Sequence, residues 1–306
     1  MNTQRIVSFL PAATEMAFDL GLGDRIVGVS HECDFPAEAK YRPVVVRPAL
    51  PLETMSLREI DVAVAERIRN GQSLYQVDED QLRELKPDVI LTQNLCEVCG
   101  PAGNEITVAL KLLEPKPEIV WMSPHSLEDI FANILDLGRA TGRLREAETV
   151  VAERRNRLSW ILMRTKYLSR RRVFCMEWAD PIYCAGHWVP EMVEIAGGVD
   201  ELARKGTDSI RISWDDVRKW APEVLILSPC GFHTAQAVEQ MSLLQSLPGW
   251  AEIPAVQTGS VFCVDANSYF ARPGPRVVEG TELLAYLIHP ESFSWNGPDE
   301  AFQQVL

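Results

Sequence analysis

A short sequence pattern occurs twice in this chain, once in each half. The copies are Asp80-Gln-Leu-Arg-Glu-Leu-Lys-Pro87-Asp-Val-Ile-Leu-Thr-Gln93 and Asp215-Asp-Val-Arg-Lys-Trp-Ala-Pro222-Glu-Val-Leu-Ile-Leu-Ser228. In each copy an acidic residue stands seven positions before a proline, a helical stretch fills the gap, and a run of aliphatic residues follows. A repeat at about half the chain length predicts two similar lobes rather than a solenoid of short repeats. Two lobes predict a ligand site in the cleft between them.

Strand-like and helix-like segments alternate in both halves. Strands are predicted at residues 5–10, 25–30, 88–93, 118–123, 172–176, 223–228 and 260–265. Helices are predicted at residues 14–20, 56–68, 126–138 and 188–198. This alternation predicts an α/β fold in which each lobe is a parallel, Rossmann-like sheet with helices on both faces.

One long helix is predicted between the two halves. Residues 144–169 contain neither Gly nor Pro and mix long charged side chains with an apolar face. A helix of that length would extend about 39 Å at 1.5 Å per residue. The predicted organisation is an N-terminal lobe at 1–143, a connecting helix at 144–170 and a C-terminal lobe at 171–306. The alternative is an ordinary surface helix inside one domain.

Composition excludes several classes of protein. A net charge of -13 disfavours nucleic acid as a partner, because such binding needs a basic surface that displaces counterions. No apolar run approaches the roughly 18 residues that a membrane span needs. The first predicted strand follows Gln4 directly, without a secretory leader, so the sequence as written predicts a cytoplasmic protein, or a periplasmic one if a leader is missing. Seven scattered cysteines fit a reducing compartment.

Several motifs, in order along the chain, resemble the cobalamin- and iron-siderophore-binding components of bacterial ABC importers. The general match begins at Arg5-Ile-Val-Ser-Phe-Leu-Pro-Ala-Ala-Thr-Glu-Met and returns at Lys86-Pro-Asp-Val-Ile-Leu and Glu194-Ile-Ala-Gly-Gly. The cobalamin binders of that family are matched best, through Ser30-His-Glu-Cys-Asp-Phe-Pro36, Phe174-Cys-Met-Glu-Trp-Ala-Asp-Pro-Ile-Tyr-Cys-Ala-Gly186 and Tyr269-Phe-Ala-Arg-Pro-Gly-Pro-Arg276.

The resemblance implies a function and a partner. It implies two α/β lobes joined by one long helix, a corrinoid ligand in the cleft, no required cofactor and no enzymatic activity. It also implies an ABC permease that is contacted by one carboxylate from each lobe. The matching positions are Asp80 and Asp215, where the family has glutamates, and the alternative is that both are acids favoured by the helix dipole. The protein is expected to be a monomer.

Segments that follow the carboxyl ends of parallel strands are expected to face the ligand. Trp178, Tyr269 and Phe270 are the predicted aromatic wall for a broad, apolar corrin ring, and Arg272 is the predicted polar anchor. If 269–270 is extended, neighbouring side chains point opposite ways and one of the pair faces the lobe core. The remaining predicted ligand residues are Pro11, His31, Asp34, Asn94, Asp180 and Trp188. His31 is either a metal ligand or a hydrogen-bonded loop histidine.

Two other functions stay open on the sequence alone. Cys96 and Cys99 form a Cys-x-x-Cys pair that, with Cys33 or His31, would suit a soft metal or reversible disulfide chemistry. An enzyme acting on a corrinoid on the same scaffold is the other alternative, although the sequence has no Gly-x-Ser-x-Gly or P-loop motif. Its candidate acids and bases are Glu32, Asp34, His125, Glu177, Asp180 and His187.

Overall fold

The computed structural model describes residues 4–93 and 113–306. The chain divides into two compact units. Unit 1 comprises Met1–Pro124 and Glu128–Ala152, and unit 2 comprises His125–Leu127 and Glu153–Leu306. The predicted ligand cleft between lobes and the exact domain boundaries stay predictions.

Unit 1 is built on one six-stranded sheet. Its strands are β1 (Ile6–Ser8), β2 (Ile26–Ser30), β3 (Val44–Pro48), β4 (Tyr75–Val77), β5 (Val89–Thr92) and β6 (Glu118–Trp121), in the order β4-β3-β2-β1-β5-β6. All neighbours are parallel except β3 and β4. The helices are α1 (Pro11–Asp19), α2 (Leu57–Arg69), α3 (Glu79–Leu85) and α4 (Leu127–Thr141), and the long helix α5 (Leu144–Thr165) follows.

Unit 2 repeats this design. Its strands are β7 (Arg171–Ala179), β8 (Ile182–Cys184), β9 (Gly198–Val199), β10 (Val224–Leu227), β11 (Val261–Val264) and β12 (Phe302–Gln304). Strands β7, β10 and β11 are parallel, and β12 and β8 flank them in antiparallel pairing. The helices are α6 (Val189–Ile195), α7 (Trp214–Trp220), α8 (Thr234–Glu239), α9 (Met241–Gln245), α10 (Pro254–Gln257), α11 (Ala266–Tyr269) and α12 (Val277–Ile288).

Helix α5 contains residues of both units, because the division falls between Ala152 and Glu153. Its second half is anchored to α12 by ion pairs. The Arg157 guanidinium donates to Glu279 at 2.8 Å and to Glu282 at 2.7 Å. The two carboxylates raise the pKa of Arg157 above its ordinary range.

In unit 1 the repeated pattern is held by an arginine at the start of the first strand. Helix α3 ends at Leu85, Lys86 adopts a left-handed conformation, and Pro87 precedes the strand. The Asp88 carboxylate accepts the Arg5 backbone N–H at 2.7 Å. The Arg5 Nε donates to the Leu85 carbonyl at 2.7 Å. The side chain and backbone of Arg5 thus join the start of β1 to the turn that begins β5.

The second copy makes similar hydrogen bonds, with the accepting carbonyl one position later in the repeat. Ala221 adopts the left-handed conformation after α7, and Pro222 precedes the strand. The Glu223 carboxylate accepts the Arg172 backbone N–H at 2.9 Å, and the Arg172 Nε donates to the Ala221 carbonyl at 2.9 Å. We call the two arrangements, Arg5 with Leu85 and Asp88, and Arg172 with Ala221 and Glu223, the arginine clasps. They show that the sequence repeat is a structural repeat.

The predicted fold class is confirmed, and the differences lie at the margins. Each predicted strand is present, with ends shifted by up to three residues. The prediction missed β3, β4, β8, β9 and β12, which are short and mostly lie at sheet edges. Helix α5 ends at Thr165, four residues before the predicted end. Within the described residues, no helix is both long and apolar enough to cross a bilayer.

Replacing Ala221 with glycine is expected to stabilise the protein. Ala221 has a φ of 51°, which costs an L-residue about 1–2 kcal/mol. Glycine removes this cost, but its greater freedom in the unfolded chain lowers stability by about 0.4–1 kcal/mol. The expected net gain is about 0.5 kcal/mol in the free energy of urea unfolding.

The matched control is Ala152→Gly, in the exposed middle of α5, where the same change should cost about 1 kcal/mol. If both variants lose stability equally, the left-handed residue is not part of the folded turn.

Candidate functional site

In unit 2 the carboxyl ends of three parallel strands place aromatic and charged side chains at one edge of the sheet. Strand β7 ends near Trp178, β10 is followed by the loop that carries Phe232 and His233, and β11 is followed by Asp265. These side chains come together because parallel strands end at the same edge. We call the set formed by Trp178, Phe232, His233 and Asp265 the unit 2 edge.

Trp178 is the predicted ligand residue with the most suitable environment. Its ring lies 5.7 Å from the Phe232 ring, centroid to centroid, at a tilt of 56°. The side chain is half-buried, and the indole Nε1 is buried without a hydrogen-bond partner in the structure. A buried donor of this kind carries an energetic cost until an acceptor reaches it. Trp178 therefore offers both a flat surface and an unused hydrogen bond.

Asp265 joins the loop that carries Phe232 and His233 to α11. The His233 Nδ1 lies 3.0 Å from both Asp265 carboxylate oxygens. The same carboxylate caps α11, because its Oδ1 accepts the Ser268 backbone N–H at 2.9 Å. The Asn267 N–H donates to the Phe232 carbonyl at 3.3 Å. The ring opposite Trp178 is thus held by a hydrogen-bonded loop.

A second cluster of polar side chains follows β8. The His187 Nε2 lies 3.1 Å from the Asp208 Oδ1, and the His187 ring lies 5.8 Å from the His125 ring. The Ser209 hydroxyl donates to the Glu177 carboxyl at 2.5 Å. Gly186 permits this approach, because a Cβ there would lie 2.5 Å from the Ser209 nitrogen.

Burial changes the protonation of this second cluster. Desolvation lowers the pKa of His187, and the nearby His125 lowers it further, whereas Asp208 raises it. Desolvation also raises the pKa of Glu177, against the opposing effect of the Ser209 hydrogen bond. Neutral imidazole is therefore favoured at His187.

Four of the predicted ligand residues in unit 2 are buried. Trp188 donates its indole N–H to the Phe270 carbonyl at 2.8 Å. Phe270 is only 2% exposed, which leaves it little surface for a ligand. Tyr269 packs edge-on against Trp295, and Arg272 is also buried. These residues form the packed layer behind the edge, and their direct contact with ligand stays a prediction, as does that of the half-buried Asp180.

The local conformation around Tyr269 differs from the prediction. An extended segment was expected at 269–270, but residues Ala266–Tyr269 form the short helix α11. The Asp265 cap and the packing of Tyr269 against Gly280 of α12 explain the difference, since a Cβ on Gly280 would lie 2.2 Å from the Tyr269 carbonyl oxygen.

In unit 1 the equivalent edge carries Pro11, His31 and Asp34. Pro11 begins α1 directly after β1, and its missing N–H suits the first helical position. His31 follows β2 and donates its backbone N–H to the Val46 carbonyl at 3.0 Å. Its Nδ1 is buried without a hydrogen-bond partner, and its Nε2 lies 3.7 Å from Glu32. Asp34 is half-buried in the following loop.

The predicted docking carboxylates occupy equivalent positions. Asp80 and Asp215 are each the second residue of their helices, α3 and α7. Their side chains are 88% and 74% exposed, and each lies near the arginine three residues later, at 2.7 Å for Arg83 and 3.5 Å for Arg218. The equivalence follows from the repeat, and the docking role stays a prediction.

Asn94, Cys96 and Cys99 lie outside the described residues. Cys33, proposed to join the cysteine pair, is buried and accepts a hydrogen bond from the Thr14 hydroxyl at 3.1 Å. In residues 4–93 and 113–306, no group of three or more His, Cys, Asp or Glu side chains is arranged to hold a metal ion.

The sequence reasoning missed the loop that carries Asp208 and Ser209. This loop follows β9, a two-residue strand that the sequence analysis did not predict, so the rule about carboxyl ends was not applied to it. It is held instead by an isolated bridge between Tyr183 and Arg211 and by the His187 N–H, which donates to the Thr207 carbonyl at 2.7 Å. Gly186 was the one available signal, because a glycine in a strand-like segment marks close backbone approach.

Comparison with known proteins identifies the relatives of this chain. The family model described as periplasmic binding protein matches residues 6–267. The vitamin B12-binding protein of Vibrio cholerae serotype O1 is 28% identical over 286 residues, which cover 92% of this chain and 87% of the relative. The ABC transporter substrate-binding lipoprotein YvrC of Bacillus subtilis is 27% identical, over 95% of this chain and 81% of the relative.

Solved structures share the fold. The periplasmic vitamin B12 binding protein BtuF of Vibrio cholerae superimposes with a TM-score of 0.67 at 22% identity, covering 94% of this chain and 97% of that one. The periplasmic heme-binding protein RhuT from Roseiflexus sp. RS-1, in apo form, gives a TM-score of 0.71 at 18% identity, covering 95% and 100%. At these identities the likeness shows the fold alone.

The pKa of His187 should respond in opposite directions to its two neighbours. In an NMR titration, wild-type His187 is expected to titrate below its ordinary value of 6.5. Asp208→Asn should lower the pKa further, and His125→Gln should raise it. Because the folded-state pKa lies below the unfolded value, the contribution of this group to stability is present above pH 6.5 and is lost as the pH falls. A wild-type value above 6.5 would contradict the geometry.

Proposed function

Because this chain belongs to the periplasmic binding protein family, we propose that it is a non-enzymatic substrate-binding protein whose ligand is a cobalamin-like corrinoid. The observation that carries the proposal is the unsatisfied Trp178 indole N–H beside the Phe232 ring. A corrin ring has broad apolar faces and a fringe of amides. An amide carbonyl would supply the acceptor that Trp178 lacks once the indole turns to expose its N–H, and the paired rings supply apolar area.

In unit 1, His31 is a separate candidate for ligand recognition. Its buried Nδ1 lacks a partner in the structure, so rotation of the ring would let it meet either an amide N–H of the ligand or a metal centre. The side chains at the unit 2 edge and at His31 require only that a ligand present amides and flat apolar surface. This requirement supports a large organic ligand over a bare ion.

Binding is proposed over catalysis because the chain belongs to the periplasmic binding protein family. The hydrogen bonds of Glu177 to Ser209 and of His187 to Asp208 do not by themselves distinguish the two functions. The relatives are named for the ligands they bind, which agrees with a protein that needs no cofactor. An enzyme acting on the bound corrinoid stays an alternative, and product formation during binding would establish it. The alternative function of Cys96 and Cys99 in metal or thiol chemistry predicts loss of function on their removal with corrinoid binding intact.

Location and oligomeric state stay predictions. Both structural neighbours described above are named as periplasmic proteins, and one of the curated relatives is named as a lipoprotein. A periplasmic or surface-anchored protein would deliver ligand to an ABC permease, whereas a cytoplasmic one would act as a carrier or buffer. A monomer is expected in either case.

The ligand is tested by titration of purified, reduced protein with cyano-, hydroxo- and adenosylcobalamin. Calorimetry is expected to show saturable binding at micromolar concentration or tighter, about -8 kcal/mol or better. Trp178→Phe keeps the ring and removes the N–H, and it should weaken binding about 5- to 10-fold, the value of one buried hydrogen bond. Tyr183→Phe, which alters a nearby hydroxyl bonded to Arg211, is the control.

The same titration with haem distinguishes a corrin ligand from a porphyrin ligand, since both macrocycles have flat apolar faces. A shift of the corrin absorption bands that is lost in His31→Ala would make His31 an axial ligand. Binding of haem with no affinity for any cobalamin would replace the corrinoid by a porphyrin. If neither macrocycle binds, the proposal is wrong.

Docking on a permease is proposed for Asp80 and Asp215, because both are exposed at equivalent helix starts. Asp80→Lys/Asp215→Lys should abolish co-purification with the ABC permease encoded nearest to the gene, since it reverses both charges. Glu84→Lys, an exposed charge reversal at the other end of α3, should leave association unchanged. Undiminished association of the double variant would discard the role of these carboxylates.

A further inference from the structure

The end of α5 and the segment after it form a basic stretch in an acidic chain. Residues 154–172 contain no Asp or Glu, whereas the whole chain has a net charge of -13. The cations are Arg154, Arg155, Arg157, Arg164, Lys166, Arg170, Arg171 and Arg172. All of them belong to unit 2.

Only part of this charge is neutralised by carboxylates. Arg154 and Arg157 pair with Glu279 and Glu282, and Arg172 lies 3.6 Å from Glu223. Arg164, Arg170 and Arg171 are bonded to backbone carbonyls instead.

Those carbonyl bonds hold the charges in place without cancelling them. Arg164 donates to the Ser292 carbonyl at 2.8 Å, Arg170 to the Gly198 carbonyl at 3.1 Å and Arg171 to the Ile288 carbonyl at 2.9 Å. A carbonyl carries no net charge, so the three guanidinium groups remain positive. They form a fixed basic surface at the end of α5.

Large apolar side chains project from the same surface. Trp160 and Met163 lie on the last turns of α5, and Tyr167 lies in the turn that follows. Their exposed fractions are 48%, 63% and 84%. The Arg164 guanidinium lies 4.7 Å from the Trp160 ring centroid and 5.3 Å from that of Phe293. We call Trp160, Met163, Arg164, Lys166 and Tyr167, with Arg170 and Arg171, the basic aromatic face.

We propose that the basic aromatic face binds the surface of an anionic lipid membrane. Trp and Tyr are the side chains that favour the membrane–water interface, and Lys and Arg are attracted to anionic headgroups. Met163 and Tyr167 project into solvent rather than filling a groove. A partner that buries them must therefore adapt its surface to their shape. Lipid headgroups and acyl chains do this, whereas a rigid protein surface would need matching pockets.

The acidity of the rest of the chain does not prevent this contact. At 0.15 M salt the Debye length is about 8 Å, so acidic groups farther away are largely screened from the membrane. Each basic residue near the surface strengthens binding about fivefold. The negative charge elsewhere then orients the molecule, since the basic aromatic face is the part attracted to anionic lipid. The inference does not depend on which ligand the protein carries.

The test is flotation of the purified protein with vesicles of phosphatidylcholine that contain 30% phosphatidylglycerol. Wild-type protein is expected to float with these vesicles at 0.05 M salt and to stay in solution with pure phosphatidylcholine. Lys166→Glu/Tyr167→Ser should weaken binding at least tenfold, because it reverses one charge and removes an exposed ring.

The chain offers a closely matched control. Lys40 and Tyr41 form another exposed Lys-Tyr pair, in unit 1, and Tyr41 is 86% exposed. Lys40→Glu/Tyr41→Ser makes the same change in charge and composition outside the basic aromatic face. It should leave vesicle binding within twofold of wild type.

Three outcomes would overturn the proposal. These are no flotation of the wild type, equal loss in both double variants, and equal binding to neutral and anionic vesicles. Sedimentation analysis tests whether the face instead binds a second copy of this acidic chain. A concentration-dependent dimer that is lost only in Lys166→Glu/Tyr167→Ser, with no vesicle binding, would assign the face to self-association.

Discussion

The two arginine clasps are the constraint on which the arrangement of both sheets depends. In each unit an arginine at the start of the first central strand donates through its side chain to a carbonyl at the end of a helix, and the acid that follows the proline accepts its backbone N–H. These bonds align β1 with β5 and β7 with β10 at their first residues. Because the strands start together, their carboxyl ends also lie together, and the candidate ligand residues follow those ends.

The buried strands make this alignment strict. Val89, Ile90 and Leu91 in unit 1 are at most 1% exposed, and the whole of β10 is at 0%. Because these strands are buried on both faces, a register slip of one residue would exchange the aliphatic side chains of the two faces and disturb the packing on both. The left-handed residue, proline and acid at the start of each strand therefore fix its starting point, and burial of its side chains maintains the register. The turn before each strand and the burial of its side chains therefore favour the same register.

In each unit the strand ends carry side chains that suit the bulky ligand proposed above. Trp178 and His31 each have a buried nitrogen without a partner, and burial lowers the pKa of His187, which favours its neutral form. Unsatisfied donors and acceptors of this kind are costly in the empty protein and are compensated when a ligand provides their partners. The basic aromatic face at the end of α5 is chemically separate, since it combines fixed positive charge with exposed rings.

Local sequence patterns were sufficient to predict the fold but not the details of the site. The repeat, the aliphatic runs and the glycine stops depend on neighbours in sequence, so the two lobes and the long helix could be read from them. The edge strands β4 and β12 and the helix at Tyr269 depend on tertiary contacts that no short pattern encodes. The approach of Ser209 to Glu177 likewise depends on a loop distant in sequence, and Gly186 is the local sequence signal that indicates it.

The most direct test of the account is hydrogen–deuterium exchange of the purified protein with and without saturating hydroxocobalamin. The account predicts slower exchange at residues 31–35, 177–181 and 229–233, which follow the carboxyl ends of strands in the two units. It predicts unchanged exchange at the arginine clasps, which lie at the opposite edge of each sheet. Protection confined to other segments, or exchange unaffected by the ligand throughout, would contradict a corrinoid site at these strand ends.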